Sequence, residues 1–381
     1  MSNTLTHEIP KILDMGLAVL RENAVMPKLV NRDYDGQAAQ KGAAINIPIA
    51  NEFTVRAVSP NVVPSSSGMN DINPTNKVCT LDQWFEAPFV MSDKEFKEVQ
   101  GSVVPRSIES AVAALANKVD TSIMGLYSKV GNAVGTAGTA PFGSGVGIVD
   151  ATAARKYLVD NKMPMDGNVS MVLNAAAEQN ALGLDLFNDA SKNGSTAGVT
   201  EGYIGRKFGM DWVVDQNIGN HASTALTAGA LTCNGVQAIG STVISLAKAT
   251  NAAPLVDGDL ITIAGDDQTY SVQGDTSLIV GNTNVTIFPA LKKATGAASV
   301  VTLLASSTSN LAFHRDAFVL ASRPLSDIVV PGSIVEYATD SVTGLTLRLE
   351  VSRQNKQTQW SFDILFGVTD LRPELACRVL G

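Results

Sequence analysis

The stretch from Val104 to Val130, VPRSIESAVAALANKVDTSIMGLYSKV, decides the fold. Its apolar residues recur at alternating steps of three and four positions, which places them on one stripe of a helix. These residues are Ile108, Val112, Leu115, Val119, Ile123, Leu126 and Val130. Pro105 suits the first helical turn, where its missing N–H is not needed, and Gly131 can close the helix. The pattern predicts one helix from Pro105 to Val130, about 39 Å long, which we interpret as the spine of the fold.

The composition bounds the class of protein. A chain of 381 residues is long enough for two or three domains with a substantial core. Its net charge of −8 argues against a dedicated nucleic-acid-binding protein. Only 17% of the residues are charged, which suits a protein that hides much of its surface against copies of itself.

Targeting and redox signals are sparse. The N-terminus shows no basic segment followed by a long apolar run, and no run approaches the ~18 apolar residues of a membrane span, so we expect neither a signal peptide nor a transmembrane segment. Three cysteines, Cys79, Cys233 and Cys377, are odd in number and far apart in sequence. We predict that they are free thiols of a reducing cytoplasm.

The N-terminal part of the chain predicts an amphipathic helix, a strand and a long hairpin. The helix covers Thr6 to Asn23, and the strand covers Ala44 to Ile49, where isoleucines alternate with other residues. Strand-like runs at Glu52 to Ala57 and Lys77 to Phe85 flank a tip, Val58 to Asn76, that is rich in Pro, Ser, Asn and Gly. The local pattern leaves two interpretations open, a flexible surface loop and an arm that lies on a neighbouring subunit.

The elements that follow predict a layered domain. Ser92 to Gly101 has the capping-box spacing of a short helix, and Gly131 to Gly147 is a Gly/Ala/Thr linker that we take as a domain boundary. Helices and short strands then alternate, which indicates an α/β or α+β architecture. They are helices at Asp150 to Asn161 and Ala175 to Asn188, and strands at Val169 to Leu173 and Met210 to Asp215.

The region from Leu226 to about Ser309 predicts a small all-β insertion that can close as a barrel. It is rich in Thr, Val, Gly and Ala, and turn signals at Asp257-Gly258 and Gly265-Asp266 separate its short strands. The strands are Asp259 to Ile263, Thr269 to Val272, Val285 to Phe288 and Val300 to Leu304. We expect a segment of roughly these residues to fold alone as a β-rich monomer, because it begins and ends in small polar residues.

The C-terminal part predicts a half-buried antiparallel hairpin. Apolar and polar residues alternate from Leu345 to Val351 and again from Trp360 to Phe366, and Asn355 to Thr358 joins the two runs.

The chain lacks the motifs of known catalytic and metal sites. His7, His221 and His314 have no zinc spacing, and the glycines of Gly143 to Gly147 have no phosphate-loop context. The triplet His314-Arg315-Asp316 resembles a kinase motif only in its letters. Four aspartates offer calcium ligands without the spacing of a calcium loop, so we assign them to turns; they are Asp257, Asp259, Asp266 and Asp267. We predict no catalytic, cofactor-binding or metal-binding residues, and we expect that the chain is not an enzyme.

Several stretches together resemble the major capsid (coat) proteins of tailed bacteriophages on the Hong Kong 97 fold, in particular the coat family of short-tailed phages that carry an insertion domain. Their order and spacing carry the resemblance over most of the chain, and no single motif is decisive. The stretches are Asn31 to Tyr34 with Gly42 to Ile49, Leu81 to Trp84 leading into Ser92 to Phe96, Gly258 to Gly265, Asn310 to Leu325, Asp363 to Gly367 and Arg372 to Leu375.

The resemblance implies an α+β Hong Kong 97-like capsid fold with a long spine helix, an extended hairpin loop, an axial domain and a small all-β insertion. It divides the chain into seven segments. They are the N-terminal arm (1–50), the extended loop hairpin (51–90), the peripheral domain with the spine helix (91–147), the first part of the axial domain (148–224), the all-β insertion domain (225–309), the second part of the axial domain (310–342), and the C-terminal hairpin and tail of the peripheral domain (343–381).

The function implied by the resemblance is a major capsid protein that self-assembles into the icosahedral head around double-stranded DNA. The expected partners are other copies in hexamers and pentamers, a separate scaffolding protein and a portal, with no sequence-specific DNA binding and no membrane. The expected location is the virion capsid, assembled in the cytoplasm of the host bacterium. The alternatives are a soluble α/β hydrolase or binding protein, and a structural component of a phage tail.

Overall fold

The computed structural model describes residues 15–20, 24–34, 44–49, 53, 55, 57, 74–98, 103–143, 147–189, 200–224, 231–248, 253–325, 333–340 and 342–381. Of the predicted first helix, Thr6 to Asn23, residues 15–20 are helical and the residues before them lie outside the described part. Of the predicted hairpin tip, Val58 to Asn76, residues 58–73 lie outside the described residues, as does most of the strand-like run from Glu52 to Ala57. The prediction is wrong at the end of the tip, because Thr75 and Asn76 belong to a strand, Thr75–Thr80, that pairs with Ala44–Ile49.

Five α-helices are named among the described residues. They are α1 (Asp93–Glu98), α2 (Val103–Met124), α3 (Val149–Asp160), α4 (Ala175–Leu182) and α5 (Asp185–Asn188). Single 3₁₀ turns lie at Met26–Lys28, Gly125–Lys129, Arg315–Ala317 and Pro373–Leu375.

The described strands number twenty-two. In chain order they are β1 (Ala44–Ile49), β2 (Thr75–Thr80), β3 (Gln83–Ser92), β4 (Ala133–Val134), β5 (Val169–Leu173), β6 (Arg206–Lys207), β7 (Met210–Val214), β8 (Asn220–His221), β9 (Leu231–Cys233), β10 (Val243–Lys248), β11 (Ala253–Leu255), β12 (Leu260–Ile263), β13 (Thr269–Val272), β14 (Thr276–Leu278), β15 (Gly281–Phe288), β16 (Val300–Leu303), β17 (Ser307–His314), β18 (Phe318–Ser322), β19 (Ser333–Thr339), β20 (Thr346–Gln354), β21 (Gln357–Asp370) and β22 (Ala376–Leu380).

The spine helix exists and buries the predicted stripe, but its α-helical part ends early. The stripe residues from Ile108 to Ile123 are at most 3% exposed. The prediction of one α-helix to Val130 is wrong at its C-terminal end, because α2 ends at Met124 and a 3₁₀ turn, Gly125–Lys129, continues it. The tighter turn begins at a glycine, a poor helix former. It leaves the carbonyl of Ser128 free to accept hydrogen bonds from elsewhere in the chain.

The predicted helix from Ala175 to Asn188 is also interrupted. Gly183 follows the last residue of α4, and α5 begins at Asp185. Asn174 caps α4 by accepting a hydrogen bond from the backbone N–H of Ala177, so the start of this helix is fixed by local chemistry.

A five-stranded antiparallel sheet lies under the spine helix. Its strand order is β18-β21-β20-β19, and β3 also pairs with β21. The predicted C-terminal hairpin is confirmed as β20 and β21, joined by Asn355 and Lys356, which both have positive φ, as a tight hairpin turn requires. Leu347, Phe362 and Ile364 of this sheet belong to the same core cluster as the spine stripe.

A second sheet has seven strands and contains the predicted strands at Val169 to Leu173 and Met210 to Asp215. Its order is β4-β22-β17-β5-β7-β6, and β8 pairs with β17. All residues of β5 and β22 are buried, and helix α3 packs on β22. The strands of 310–342 are divided between the two sheets, since β17 lies in this one whereas β18 and β19 lie in the five-stranded sheet. The division into peripheral and axial segments stays a prediction.

The β-rich segment closes as a six-stranded barrel in the order β10-β15-β13-β12-β16-β9. It has a core of its own, in which Ile244, Tyr270 and Val285 are fully buried. The chain enters the barrel after β8 and leaves it into β17, and these two strands pair with each other at Ser307 and His221. The barrel is therefore inserted between two paired strands, β8 and β17, of the seven-stranded sheet.

The base of the extended hairpin pairs β2 with β1, in the register Ile45↔Cys79 and Ile47↔Lys77. The described base of the hairpin therefore reaches back to Ala44. Its buried side chains pack on Val319 and Ala321 of β18, and Lys77 forms an ion pair with Asp370 at 2.6 Å.

Candidate functional site

A buried polar site joins the barrel to the end of the spine and to the seven-stranded sheet, and Arg378 of β22 lies at its centre. This side chain is 1% exposed. Its guanidinium donates hydrogen bonds to the carbonyl oxygens of Gly258 at 2.7 Å and Ser128 at 3.1 Å, and to Oγ of Ser271 at 3.1 Å. Burial lowers the pKa of Arg378 to about 9. The buried cation is solvated by backbone and hydroxyl oxygens from both the barrel and the spine, so two of its three acceptors are present only when the barrel is docked.

A chain of three side chains runs beside Arg378. The hydroxyl of Tyr127 lies 3.0 Å from Nδ1 of His221, and Nε2 of His221 lies 2.9 Å from Oδ1 of Asp259. The other oxygen of Asp259 accepts the backbone N–H of Val256 at 2.8 Å. The Tyr-His-Asp arrangement has the order of a catalytic relay, but burial raises the pKa of Tyr127, which keeps the phenol protonated rather than nucleophilic. We interpret it as a bridge between the spine, the seven-stranded sheet and the barrel.

The first residues of β13 complete this junction. Gln268 donates to Oδ1 of Asn132 at 2.9 Å, and the hydroxyl of Thr269 donates to the carbonyl oxygen of Gly131 at 2.6 Å. A Cβ on Gly131 would overlap the carbonyl group of Phe288 in the barrel. Only glycine allows this close approach, so the end of the spine and the barrel are fitted to each other at backbone level.

The triplet His314-Arg315-Asp316 is a second polar hub. Nε2 of His314 lies 2.9 Å from Asp166, Arg315 pairs with Asp33 at 2.6 Å, and Asp316 accepts from Asn31 at 2.7 Å. The triplet therefore ties the turn between β17 and β18 to two distant segments.

Two of the stretches that carry the sequence resemblance meet at this hub, namely Asn31 to Tyr34 and Asn310 to Leu325. The third partner of the hub is Asp166. Hydrogen bonds from the backbone of Asn168 and from His314 lower the pKa of Asp166 to about 2.

A buried carboxylate of the spine helix, Asp120, holds the N-terminal segment, and a second buried carboxylate, Asp215, acts on its charge. Asp120 is 0% exposed, and its two oxygens accept the backbone N–H groups of Val25 at 3.1 Å and Met26 at 3.2 Å. Asp215 is 2% exposed, and its Oδ2 has no hydrogen-bond partner among the described residues. Burial, with a smaller contribution from the charge of Asp215, raises the pKa of Asp120 to about 7.

A groove of about 480 Å³ lies between the spine helix and β3. Small side chains line it, namely Ala87, Ser107, Ser110, Ala111 and Ala114, together with Phe89. Among the described strands β3 pairs only with β21, so its outer edge is open. Pro88 lacks a backbone N–H and limits how another strand can add there.

The four aspartates that were considered as calcium ligands in the sequence have structural roles. Asp257 forms an ion pair with Lys129 at 3.0 Å, Asp259 bonds to His221, and Asp266 accepts the hydroxyl of Tyr270 at 2.6 Å. The exposed Asp267 accepts a bond from the hydroxyl of Tyr157 only through its backbone carbonyl, at 3.4 Å.

The cysteines and the glycine-rich linker were also considered in the sequence. The three cysteines are buried and free. The described residues hold no cluster of three or more metal-ligating side chains. Of the glycine-rich linker, residues 144–146 lie outside the described part. Within the described ranges, no helix is both long and apolar enough to cross a membrane.

The sequence reasoning missed Arg378 and Asp120. Each is a single charged residue inside an otherwise apolar pattern, LACRVLG for Arg378 and the spine stripe for Asp120. A charge at a core position predicts a partner inside the protein. Its identity follows only from the tertiary structure, because the partners lie up to 250 positions away.

Comparisons with known proteins define the fold. No protein-family model matches the chain, and no curated protein matches it. Among solved structures it is similar to a chain of Mycobacterium phage Che8, at 18% identity and a TM-score of 0.54, with 93% of this chain and 90% of that chain covered. It is also similar to a chain in the capsid structure of the cyanophage P-SCSP1u, at 12% identity and a TM-score of 0.52, covering 94% and 88%.

These matches span nearly the whole of both chains, so the similarity concerns the complete architecture rather than one domain. The predicted α+β Hong Kong 97-like capsid fold, with its long helix and all-β insertion, is confirmed. The chain has the fold of a phage capsid subunit.

Proposed function

We propose that this chain is the major capsid protein of a tailed bacteriophage and that it self-assembles into the icosahedral head enclosing double-stranded DNA. The observation that carries the proposal is the similarity to phage structures over more than nine-tenths of the chain. No observation on the described residues favours a hydrolase, a binding protein or a tail component.

The architecture supports assembly from many copies. The base of the extended hairpin is held firmly by the β1–β2 pairing and by the ion pair of Lys77 with Asp370. A firmly held base allows the tip, 58–73, to serve as an arm on a neighbouring subunit. The open edge of β3 and the groove beside it offer an acceptor surface on each copy.

The proposal includes the partners and the location implied by a capsid role. The copies form hexamers and pentamers, a separate scaffolding protein guides them, and a portal occupies one vertex. The acidic balance of the chain suits a lining that does not grip the packaged DNA. The protein acts in the virion capsid after assembly in the host cytoplasm, and its role is structural rather than enzymatic.

Electron microscopy and sedimentation test the proposal, on the expressed chain alone and on the chain expressed together with a phage scaffolding protein. Shells, tubes or free capsomers are the expected products. A chain that remains a sharp monomer under all of these conditions, and that gains thermal stability from a small molecule, would refute the capsid function.

A further inference from the structure

The barrel has two halves of different chemistry. The half that docks on the body contains β12, β13 and the residues around them, which supply Gly258, Asp259 and Ser271 to the junction. In the closed order of six strands, β9 and β10 lie across from β12 and β13. We call the strands β16, β9, β10 and β15, with the loops that join β9 to β10 and lead into β15, the outer half of the barrel.

The outer half carries almost no charge. Residues 231–247, 276–291 and 299–309 contain no Asp, Glu, Lys or Arg. Lys248 ends β10 but is only 5% exposed. All five acidic residues of the barrel lie between 257 and 275, toward the body. A solvated surface normally carries charged residues throughout, so this segregation indicates that the outer half is covered in the working state of the protein.

Exposed aliphatic side chains are concentrated at the two ends of the outer half. At the first end Val236 and Ile239 are 67% and 68% exposed, and at the second end Ile279 and Val280 are 55% and 60% exposed. The β10–β15 ladder fixes their placement, because Val243 pairs with Thr286 at one end and Lys248 pairs with Gly281 at the other. At about 3.4 Å per residue the ends are roughly 17 Å apart.

We propose that the outer half of the barrel binds the barrel of a second copy of this chain head to tail, with the Val236–Ile239 end of one copy against the Ile279–Val280 end of the next. The inference rests on the proposed capsid function, which brings copies side by side. Nucleic acid does not fit this surface, because the two exposed lysines beside it, Lys292 and Lys293, are too few to neutralise a run of phosphates.

A second copy fits for two reasons. Both ends present exposed aliphatic side chains that can be buried against each other, and the charges nearest the first end, Lys292 and Lys293, lie in the adjacent loop and have the same sign, so they do not pair with each other across it. The two ends are different surfaces on opposite sides of one barrel, which is the arrangement that a repeating head-to-tail contact needs, and such a contact closes into a ring when the rotation between copies permits.

Cysteine cross-linking in the full-length protein tests the contact. All three native cysteines are buried, so an introduced surface cysteine is the reactive thiol. Two single variants, Ile239→Cys and Val280→Cys, are expressed separately and then assembled together, and a double variant is assembled alone. Asp267→Cys, at an exposed position toward the body, is the matched control.

The expected result is a dimer band from the mixture of the two single variants, about tenfold stronger than from either variant alone or from the control, and a ladder of multimers from the double variant. Dimers from Ile239→Cys alone would refute the head-to-tail geometry. Shells that assemble without any of these cross-links, or a cross-link to a different protein, would refute the barrel contact and leave the capsid function standing. Absence of shells in the same samples would count against the capsid function instead.

Discussion

Replacing Asp120 by asparagine should remove a pH dependence that the buried carboxylate gives to the folded chain. The pKa of Asp120 is raised from 3.8 to about 7. Because the folded state binds this proton more tightly than the unfolded state, folding is favoured at low pH. Stability falls as the pH rises from about 4 to about 7 and then levels off. Three pH units at 1.36 kcal/mol each give a total change of about 4 kcal/mol.

The order of stability of Asp120→Asn and the native protein should reverse as the pH rises. At low pH Asp120→Asn replaces the hydroxyl oxygen of the protonated carboxyl, which can still accept a hydrogen bond, by an NH2 group, which cannot. One of the N–H groups of Val25 and Met26 then loses its acceptor, which costs about 1 kcal/mol. At higher pH the variant avoids the burial of a charge beside Asp215 and becomes the more stable protein. The control is Asp166→Asn, because the pKa of Asp166 lies near 2 and its titration falls below this window.

Hydrogen exchange measured by mass spectrometry on unassembled protein provides the assay. After correction for the intrinsic rate, peptides that cover residues 24–34 should lose protection between about pH 4 and pH 7 in the native chain and keep it in Asp120→Asn. Equal slopes in the two proteins, or native protection that increases with pH, would refute the assignment of the buried proton to Asp120.

Three further predictions concern the spine, the barrel junction and the hairpin tip. Val119→Asp buries an unpaired charge in the stripe and should lower the unfolding free energy by several kcal/mol, so that the protein is insoluble. The control, Thr121→Asp on the exposed side of the helix, should express normally. A soluble Val119→Asp protein that assembles would contradict the packing of the stripe. Gly131→Ala should lower the unfolding free energy by about 1–3 kcal/mol in denaturant titrations because its Cβ overlaps the barrel. Gly125→Ala should not lower the unfolding free energy, because a Cβ at Gly125 has no neighbouring atom within 4 Å. Equal effects of the two substitutions would refute the close contact at Gly131. Deleting residues 60–73 should leave the far-ultraviolet circular dichroism unchanged and block assembly, and normal shells from that variant would show that the tip is not an intersubunit clamp.

Much of the fold could be predicted because the determining signals are local. The stripe of the spine helix, the alternation of β20 and β21, and the turn residues of the barrel each lie within about thirty neighbouring positions, where periodicity reports burial directly. The exact end of the spine could not be predicted in this way. Its last turn tightens where the carbonyl of Ser128 accepts bonds from Ser271 and Arg378, which are remote in sequence.

Most of the candidate site could not be predicted from the sequence, for the same reason. Sheet order is set by pairings such as β17 with β22 and β5, which no local pattern encodes. The hub at His314 shows that a match in sequence to a motif does not imply the arrangement of side chains that the motif has in an enzyme. The triplet resembles an enzyme motif in sequence, but its side chains bond to two distant segments, around Asp33 and Asp166, and hold the subunit together.

The way in which the barrel is attached has an evolutionary consequence. Its two connections to the body run side by side, and the backbone N–H of Ser223 bonds to the hydroxyl of Ser306 at 2.9 Å where they meet. A short link there could replace the whole barrel without breaking the pairing of β8 with β17. Arg378 would then lose Gly258 and Ser271, and water would take the place of two of its three partners. The buried position of the arginine is thus tied to the presence of the barrel, so we expect arginine at position 378 to be retained where the module is retained and to vary freely where it is lost.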